Sequence, residues 1–129
     1  MMAGELKRLL AKGDFIVAPG VFEMLSAKIA DGLGFKALYM TGYGISASHL
    51  GLADAGLVTY RDMVERARTI AQGTKTPLIA DADTGFGGLL NIRETVRAMM
   101  RKSALRRDST ATSMRLTASS SGTTRRFGV

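Results

Sequence analysis

The chain has 129 residues, of which 46% are hydrophobic, 22% are charged and none is cysteine. This composition fits one globular domain and excludes disulfides, thiolate metal sites and a cysteine nucleophile. The formal net charge of +7 is typical of a nucleic-acid-binding protein, but it is unevenly placed. Residues 1–100 carry 11 basic and 10 acidic side chains, whereas residues 101–129 carry seven basic and one acidic.

The N-terminal residues favour a cytoplasmic protein. Residues 3–12 alternate apolar and charged side chains at helical spacing, with no apolar run as long as that of an export signal. No apolar run in the sequence approaches the roughly 20 residues that a membrane span requires. We therefore expect a cytoplasmic location and no membrane partner.

Three strand–helix units follow this first helix. The predicted elements are a strand over 15–18, a helix over 21–33, a strand over 37–40, a long connection over 44–58, a helix from the Thr59–Asp62 capping box to Gly73, a strand over 78–83 and a helix from Asn91. Alternating strands and helices favour parallel strands, and the apolar strands suit a barrel wall or a sheet covered on both faces. The predicted fold class is α/β.

The C-terminal residues differ in composition from everything before them. Residues 101–129 contain 11 serines or threonines and few large apolar side chains. Such a segment buries too little apolar surface to offset its ordering entropy. The sequence predicts a folded part over 1–105 and a disordered basic tail over 106–129, with no fourth strand after the last helix.

Two aspartates follow the third apolar strand. Asp81 and Asp83 are two residues apart, so on a strand their carboxylates would share a face, at the edge where parallel α/β folds bind ligands. Carboxylate oxygens suit Mg²⁺ or Mn²⁺. Capping or solvated aspartates beside the following turn are an equally good interpretation of the pattern alone.

A glycine pattern after the second strand offers a weaker alternative. Residues 42–47 match G-x-G-x-x-[GA], and Asp62 lies where a ribose-binding acid would stand. The pattern follows the second strand rather than the first and opens a long connection, so a dinucleotide site is disfavoured. His49 is the only histidine and has no evident nucleophile partner, which favours a surface or packing role.

Four segments together resemble the N-terminal part of the isocitrate lyase/phosphoenolpyruvate mutase superfamily. They are 18–22 (APGVF), 34–44 (GFKALYMTGYG), 50–57 (LGLADAGL) and 77–87 (PLIADADTGFG). The resemblance implies about three βα units of a (β/α)8 barrel, in a cytoplasmic family of homo-oligomers. It implies a lyase or phosphorylmutase that cleaves C–C or P–C bonds in 2-oxo or 2-hydroxy di- and tricarboxylic acids.

The resemblance also assigns roles to individual residues. It implies that Asp81, Asp83 and Asp54 belong to a Mg²⁺ (or Mn²⁺) site, and that Thr41, Gly42 and Tyr43 contact the carboxylate and oxo group of the substrate. A divalent cation would stabilise the enolate charge that develops on cleavage.

The sequence departs from the family after residue 100. The Lys-Cys-Gly or Lys-Arg-Gly catalytic loop expected there is absent, so no catalytic residue is assigned. We expect weak or no activity from this chain alone, and a reading-frame slip or truncated product is the hypothesis for the switch in composition. The alternative function is a small basic protein whose tail binds nucleic acid or acidic partners.

Overall fold

The computed structural model describes residues 2–103 and 116–117. The helices are α1 (Met2–Ala11), α2 (Met24–Gly32), α3 (Gly42–Ile45), a π-helix (Ser46–Leu50), α4 (Tyr60–Gly73) and α5 (Leu89–Ser103). The strands are β1 (Gly20–Val21), β2 (Leu38–Met40), β3 (Leu78–Asp81) and β4 (Leu116–Thr117). None of the helices in these ranges is long and apolar enough to cross a membrane.

The strands form one parallel sheet in chain order, β1-β2-β3-β4. Helix α2 packs on β1, β2 and α4, while α4 packs on β3 and α5. Parallel strands that neighbour each other in chain order, each joined through a helix, are the arrangement of a barrel wall. The predicted α/β class and its three parallel strands alternating with helices are confirmed.

The two faces of the sheet differ in burial. Leu38 and Met40 of β2, with Leu78 and Ala80 of β3, are fully buried in the core that the helices cover. The alternate residues Tyr39, Ile79 and Asp81 lie on the opposite face and are only partly buried. The site described below therefore lies on and beside the face that the helices leave open.

Helix α4 begins where its sequence predicts. The Thr59 hydroxyl accepts the Asp62 amide at 3.3 Å, and Asp62 Oδ2 accepts the Thr59 amide at 3.0 Å, which completes a capping box. Hydrogen bonds from the Thr59 hydroxyl and amide hold the pKa of Asp62 below its ordinary value. The predicted helix face at Met63, Ala67 and Ile70 is buried.

The first predicted strand is displaced along the chain. Phe15 is 93% exposed, and pairing with β2 begins only where the Pro19 carbonyl accepts the Tyr39 amide at 3.0 Å. The strand β1 is therefore Gly20–Val21, and the prediction of a buried strand over 15–18 is wrong. An apolar run alone does not fix the register, which here is set by pairing with β2.

Helix α2 buries its alanines rather than its large apolar residues. The helix begins at Met24 after an N-cap at Glu23, and its buried residues are Ala27 and Ala30. Three large apolar side chains at four-residue spacing stay exposed, namely Leu25 (68%), Ile29 (58%) and Leu33 (70%). Small alanines let this helix lie close to β1 and β2, so the larger residues form an outer stripe.

Beyond α5, β4 pairs in parallel with β3 through Ala80–Leu116 and Asp81–Thr117. The expectation of no fourth strand after the last helix is therefore wrong, because one leucine among polar residues gives no strand pattern from which to predict it. The remainder of the predicted disordered tail lies outside the described residues.

Candidate metal and substrate site

Asp81 ends β3, and three donors fix its carboxylate. Oδ2 accepts the Tyr39 hydroxyl at 3.1 Å and the Gly42 amide at 3.4 Å, while Oδ1 accepts the Asp83 amide at 3.0 Å. Because the donors come from three different segments, the carboxylate has little freedom to rotate. The two bonds to Oδ2 occupy both of its lone pairs, while Oδ1 keeps one lone pair for a further partner.

Asp54 approaches the same place from the connection between the π-helix and α4. A Cβ atom built on Gly42 would lie 3.2 Å from Asp81 Oδ2 and 3.8 Å from Asp54 Oδ2, so these two oxygens are at most 7.0 Å apart. A side chain at position 42 would enter the space beside both carboxylates. The structure thus brings together three of the residues that the sequence assigns to the site.

Asp83 is placed differently from the sequence argument. Strand β3 ends at Asp81, and Asp83 has a positive φ of 46° within the following turn. Because Asp83 lies outside the strand, the alternation of side chains along a strand does not place the Asp81 and Asp83 carboxylates on one face. Instead, the Asp83 main chain holds Asp81 through its amide, and metal ligation by the Asp83 side chain stays a prediction.

Thr41 and Tyr43 flank Gly42 at this edge of the sheet. The Thr41 hydroxyl caps α3 by accepting the Gly44 amide at 3.3 Å, and the Thr41 amide donates to the Val21 carbonyl at 3.1 Å. Tyr43 is 65% exposed. The segment is thus anchored at Thr41 and open at Tyr43, an arrangement that suits contact with a small ligand.

The donor set fits a hard divalent cation that keeps several waters. Asp54 and Asp81 supply carboxylate oxygens, and neither belongs to the ion pairs described within residues 6–100, His49–Asp62 and Arg97–Glu94. No group of three or more acidic or histidine ligands occurs in this part of the chain. Mg²⁺ and Mn²⁺ accept such sites because water completes their coordination.

The geometry disfavours the dinucleotide alternative. The glycine pattern does open a helix, α3, contrary to the expectation of a loop. However, the Gly42 amide faces the Asp81 carboxylate, and Asp62 caps α4 rather than meeting a ligand. His49 lies 3.7 Å from Asp62 at the surface, as its sequence context predicts.

Comparison with known proteins decides the family. The model of the phosphoenolpyruvate phosphomutase family matches residues 6–105. The chain belongs to the isocitrate lyase/phosphoenolpyruvate mutase superfamily. It is 50% identical over 95 residues to 2,3-dimethylmalate lyase of Eubacterium barkeri, an alignment that covers 74% of this chain and 33% of that protein.

Solved structures of the superfamily share the fold. A crystal structure of 2,3-dimethylmalate lyase matches with a TM-score of 0.71 and 48% identity, covering 78% of this chain and 36% of that one. Phosphonopyruvate hydrolase in complex with oxalate and Mg²⁺ matches with a TM-score of 0.74 and 31% identity, covering 79% and 36%. The chain thus spans about a third of the length of these relatives and matches their N-terminal barrel units.

One contributor to the site, Tyr39, is not predicted from the sequence, and neither is the role of the predicted site residue Gly42 in leaving room for the carboxylates. Tyr39 donates to Asp81 from the neighbouring strand, and Gly42 makes room for the two carboxylates. A tyrosine on the same strand face as an aspartate is a usable signal, but only once the strand register is known. Apart from Leu116–Thr117, the basic tail on which the alternative function depends lies outside the described residues, so that function stays a prediction.

Proposed function

We propose that this chain carries the metal- and oxo-acid-binding segment of a Mg²⁺- or Mn²⁺-dependent lyase or phosphorylmutase. Its substrates would be 2-oxo or 2-hydroxy di- and tricarboxylic acids, cleaved at a C–C or P–C bond. The observation that carries the proposal is the convergence of Asp54 and Asp81 at Gly42, in a chain that belongs to this superfamily.

The proposed division of labour follows from the contacts. Asp81 would hold the metal, because Tyr39, Gly42 and Asp83 already fix its orientation. Asp54 would also hold it, directly or through water, and Asp83 is the third acid of the proposed site. The bound cation would supply Lewis-acid stabilisation of the negative charge that develops on the substrate oxygens.

The segment Thr41-Gly42-Tyr43 would orient the substrate. Thr41 fixes this segment against Val21, and the exposed Tyr43 lies beside Gly42, where a carboxylate of the substrate would approach. No catalytic acid or base is assigned within residues 1–129, so the chain assayed alone should bind its ligands and turn them over slowly. A cytoplasmic location and a homo-oligomeric full-length enzyme complete the proposal.

Calorimetric titration of Mn²⁺ into the 129-residue chain, with and without oxalate, tests the proposal. We expect one binding site whose affinity falls by at least about tenfold in Asp81→Asn and in Asp54→Asn. The matched control is Asp14→Asn, since Asp14 is an exposed aspartate outside the site. Equal Mn²⁺ affinity in Asp81→Asn and the unmodified chain would disprove the metal assignment.

A further inference from the structure

Ser46 is a fully buried polar residue next to an exposed segment. Its exposure is 0%, whereas residues 51–57 are all exposed. Ser46 begins the π-helix, and π-helical turns are often found at functional sites. A buried hydroxyl needs a hydrogen-bond partner, so the partner it takes indicates what the side chain holds in place.

Ser46 binds this exposed segment at two points. Its hydroxyl donates to the Ala53 carbonyl at 3.0 Å, and its own carbonyl accepts the Leu52 amide at 3.4 Å. The Ala53 carbonyl also accepts the Ala55 amide at 2.9 Å. The turn that carries Asp54 is therefore tied to the buried end of the π-helix by one side-chain bond and one main-chain bond of Ser46.

The bond to Ala53 acts directly on Asp54. A peptide unit is planar, so the carbonyl of Ala53 and the amide nitrogen of Asp54 move together. Fixing that carbonyl fixes the plane from which the Asp54 side chain departs. Gly51, with a φ of 67°, ends the π-helix and turns the chain toward this contact.

We infer that Ser46 is a positioning residue that holds the Asp54 carboxylate in place for metal binding opposite Asp81. This inference rests on the proposed metal site, but it adds a residue that touches neither metal nor substrate. Its hydroxyl acts through the Ala53–Asp54 peptide unit. Without it, the exposed turn would sample orientations in which Asp54 no longer faces Gly42.

The experiment compares Ser46→Ala with Ser48→Ala in the full 129-residue chain. Ser48 lies on the same π-helix, but its hydroxyl bonds to the Ile45 carbonyl at 3.5 Å rather than to the turn. We expect Ser46→Ala to weaken Mn²⁺ binding about tenfold and Ser48→Ala to leave it within about twofold. In an Asp54→Asn background, Ser46→Ala should change Mn²⁺ affinity by less than about twofold, because the group it positions is gone.

Hydrogen exchange of the Ala55 amide in the metal-free chain provides a second readout. We expect it to be about tenfold faster in Ser46→Ala than in Ser48→Ala, because the Ala53 acceptor is no longer held. Equal exchange in the two variants, or equal weakening of Mn²⁺ binding with and without Asp54, would overturn the role of Ser46. If the unmodified chain binds no Mn²⁺, both the metal site and the positioning role for it are refuted, and faster exchange then shows only that Ser46 orders the turn.

Discussion

Asp31 and Asp81 lie at opposite ends of the sheet, and each accepts three hydrogen bonds, but the two carboxylates have different surroundings. Asp31, near the amino ends of the strands, accepts the Lys75 amide, the Thr76 amide and the Thr76 hydroxyl, all on Oδ1 at 2.8–2.9 Å. Asp81, at the carboxyl ends, accepts three donors spread over both oxygens and faces a second carboxylate. The number of hydrogen bonds therefore does not separate the structural carboxylate of Asp31 from the proposed metal ligand Asp81.

What separates them is the surroundings. Asp31 joins the last turn of α2 to the segment before β3, 44 and 45 residues along the chain, and no second acid accompanies it in the contacts described. At the other end, Asp54 Oδ2 and Asp81 Oδ2 lie at most 7.0 Å apart beside Gly42. In parallel α/β folds the carboxyl ends carry the ligand site and the amino ends contribute stability, which is the division proposed here for Asp81 and Asp31.

The largest expected effect concerns crowding at the carboxyl end. Gly85→Ala should lower the free energy of unfolding by about 3 kcal/mol, because φ is +93° and the new Cβ would lie 2.9 Å from the Ile92 Cα atom. Gly34, at the amino end, has a φ of +78° but open space around it, so Gly34→Ala should cost about 1 kcal/mol. Urea unfolding monitored by circular dichroism measures both, and equal losses would refute the difference in crowding.

The second-largest expected effect comes from removing the Asp31 carboxylate. Asp31→Ala should lower the free energy of unfolding by about 2 kcal/mol, since two backbone amides and a hydroxyl lose a charged acceptor. Mn²⁺ affinity should change little, because Asp31 lies at the other end of the strands. Asp14→Ala is the control and should leave the stability unchanged. A large loss of Mn²⁺ affinity in Asp31→Ala would contradict the separation of the two ends.

Gly42→Ala should weaken Mn²⁺ binding with little loss of stability, which is the reverse of the effect expected for Asp31→Ala. The added Cβ would lie 3.2 Å from Asp81 Oδ2 and beside Asp54, so we expect Mn²⁺ affinity to fall about tenfold. The carboxylate can shift slightly, which keeps the stability loss within about 1 kcal/mol. Gly32→Ala, at the amino end with nothing within 4 Å, should leave Mn²⁺ affinity unchanged. Unaltered binding in Gly42→Ala would show that the space beside Gly42 is not the metal site.

The smallest effect is a pH dependence at the amino end. Burial raises the pKa of Asp31, but the hydrogen bonds from Thr76 and Lys75 outweigh it and hold this pKa below the ordinary value of 3.8. A lowered folded-state pKa means that Asp31 stabilises the fold above pH 3.8 and that this contribution is lost as the pH falls toward the folded-state pKa. Urea unfolding across this acidic range should show a shallower decline in Asp31→Ala than in Asp14→Ala. The same decline of stability with pH in both variants would contradict the lowered pKa of Asp31.

The parts of the fold that follow from local chemistry were predictable. The Thr59–Asp62 capping box marks the start of α4, because both partners lie within one turn. The alternation of strands and helices likewise predicts the parallel sheet, because each strand–helix unit is one short continuous stretch of sequence. Asp81 at the end of an apolar strand is enough to locate the candidate site.

The parts that depend on tertiary contacts were not predictable. The exposure of Phe15 and of the α2 stripe is decided by which neighbours surround them, and the sequence pattern does not contain that information. Likewise, no hydrophobic periodicity predicts the π-helix that begins at Ser46, so the hydrogen bond from Ser46 to Ala53 is not predictable either. The Asp31 contact joins segments 44 residues apart, a distance at which spacing carries no signal.

The order of the strands bears on when each part of the sheet can form. Strand β2 pairs with β1, and β3 pairs with β2, so each of these two strands finds a partner among residues that precede it in the chain. During synthesis from the N-terminus, neither has to wait for a later strand before its first pairing is available. Assembly of this sheet can therefore keep pace with translation, one unit at a time.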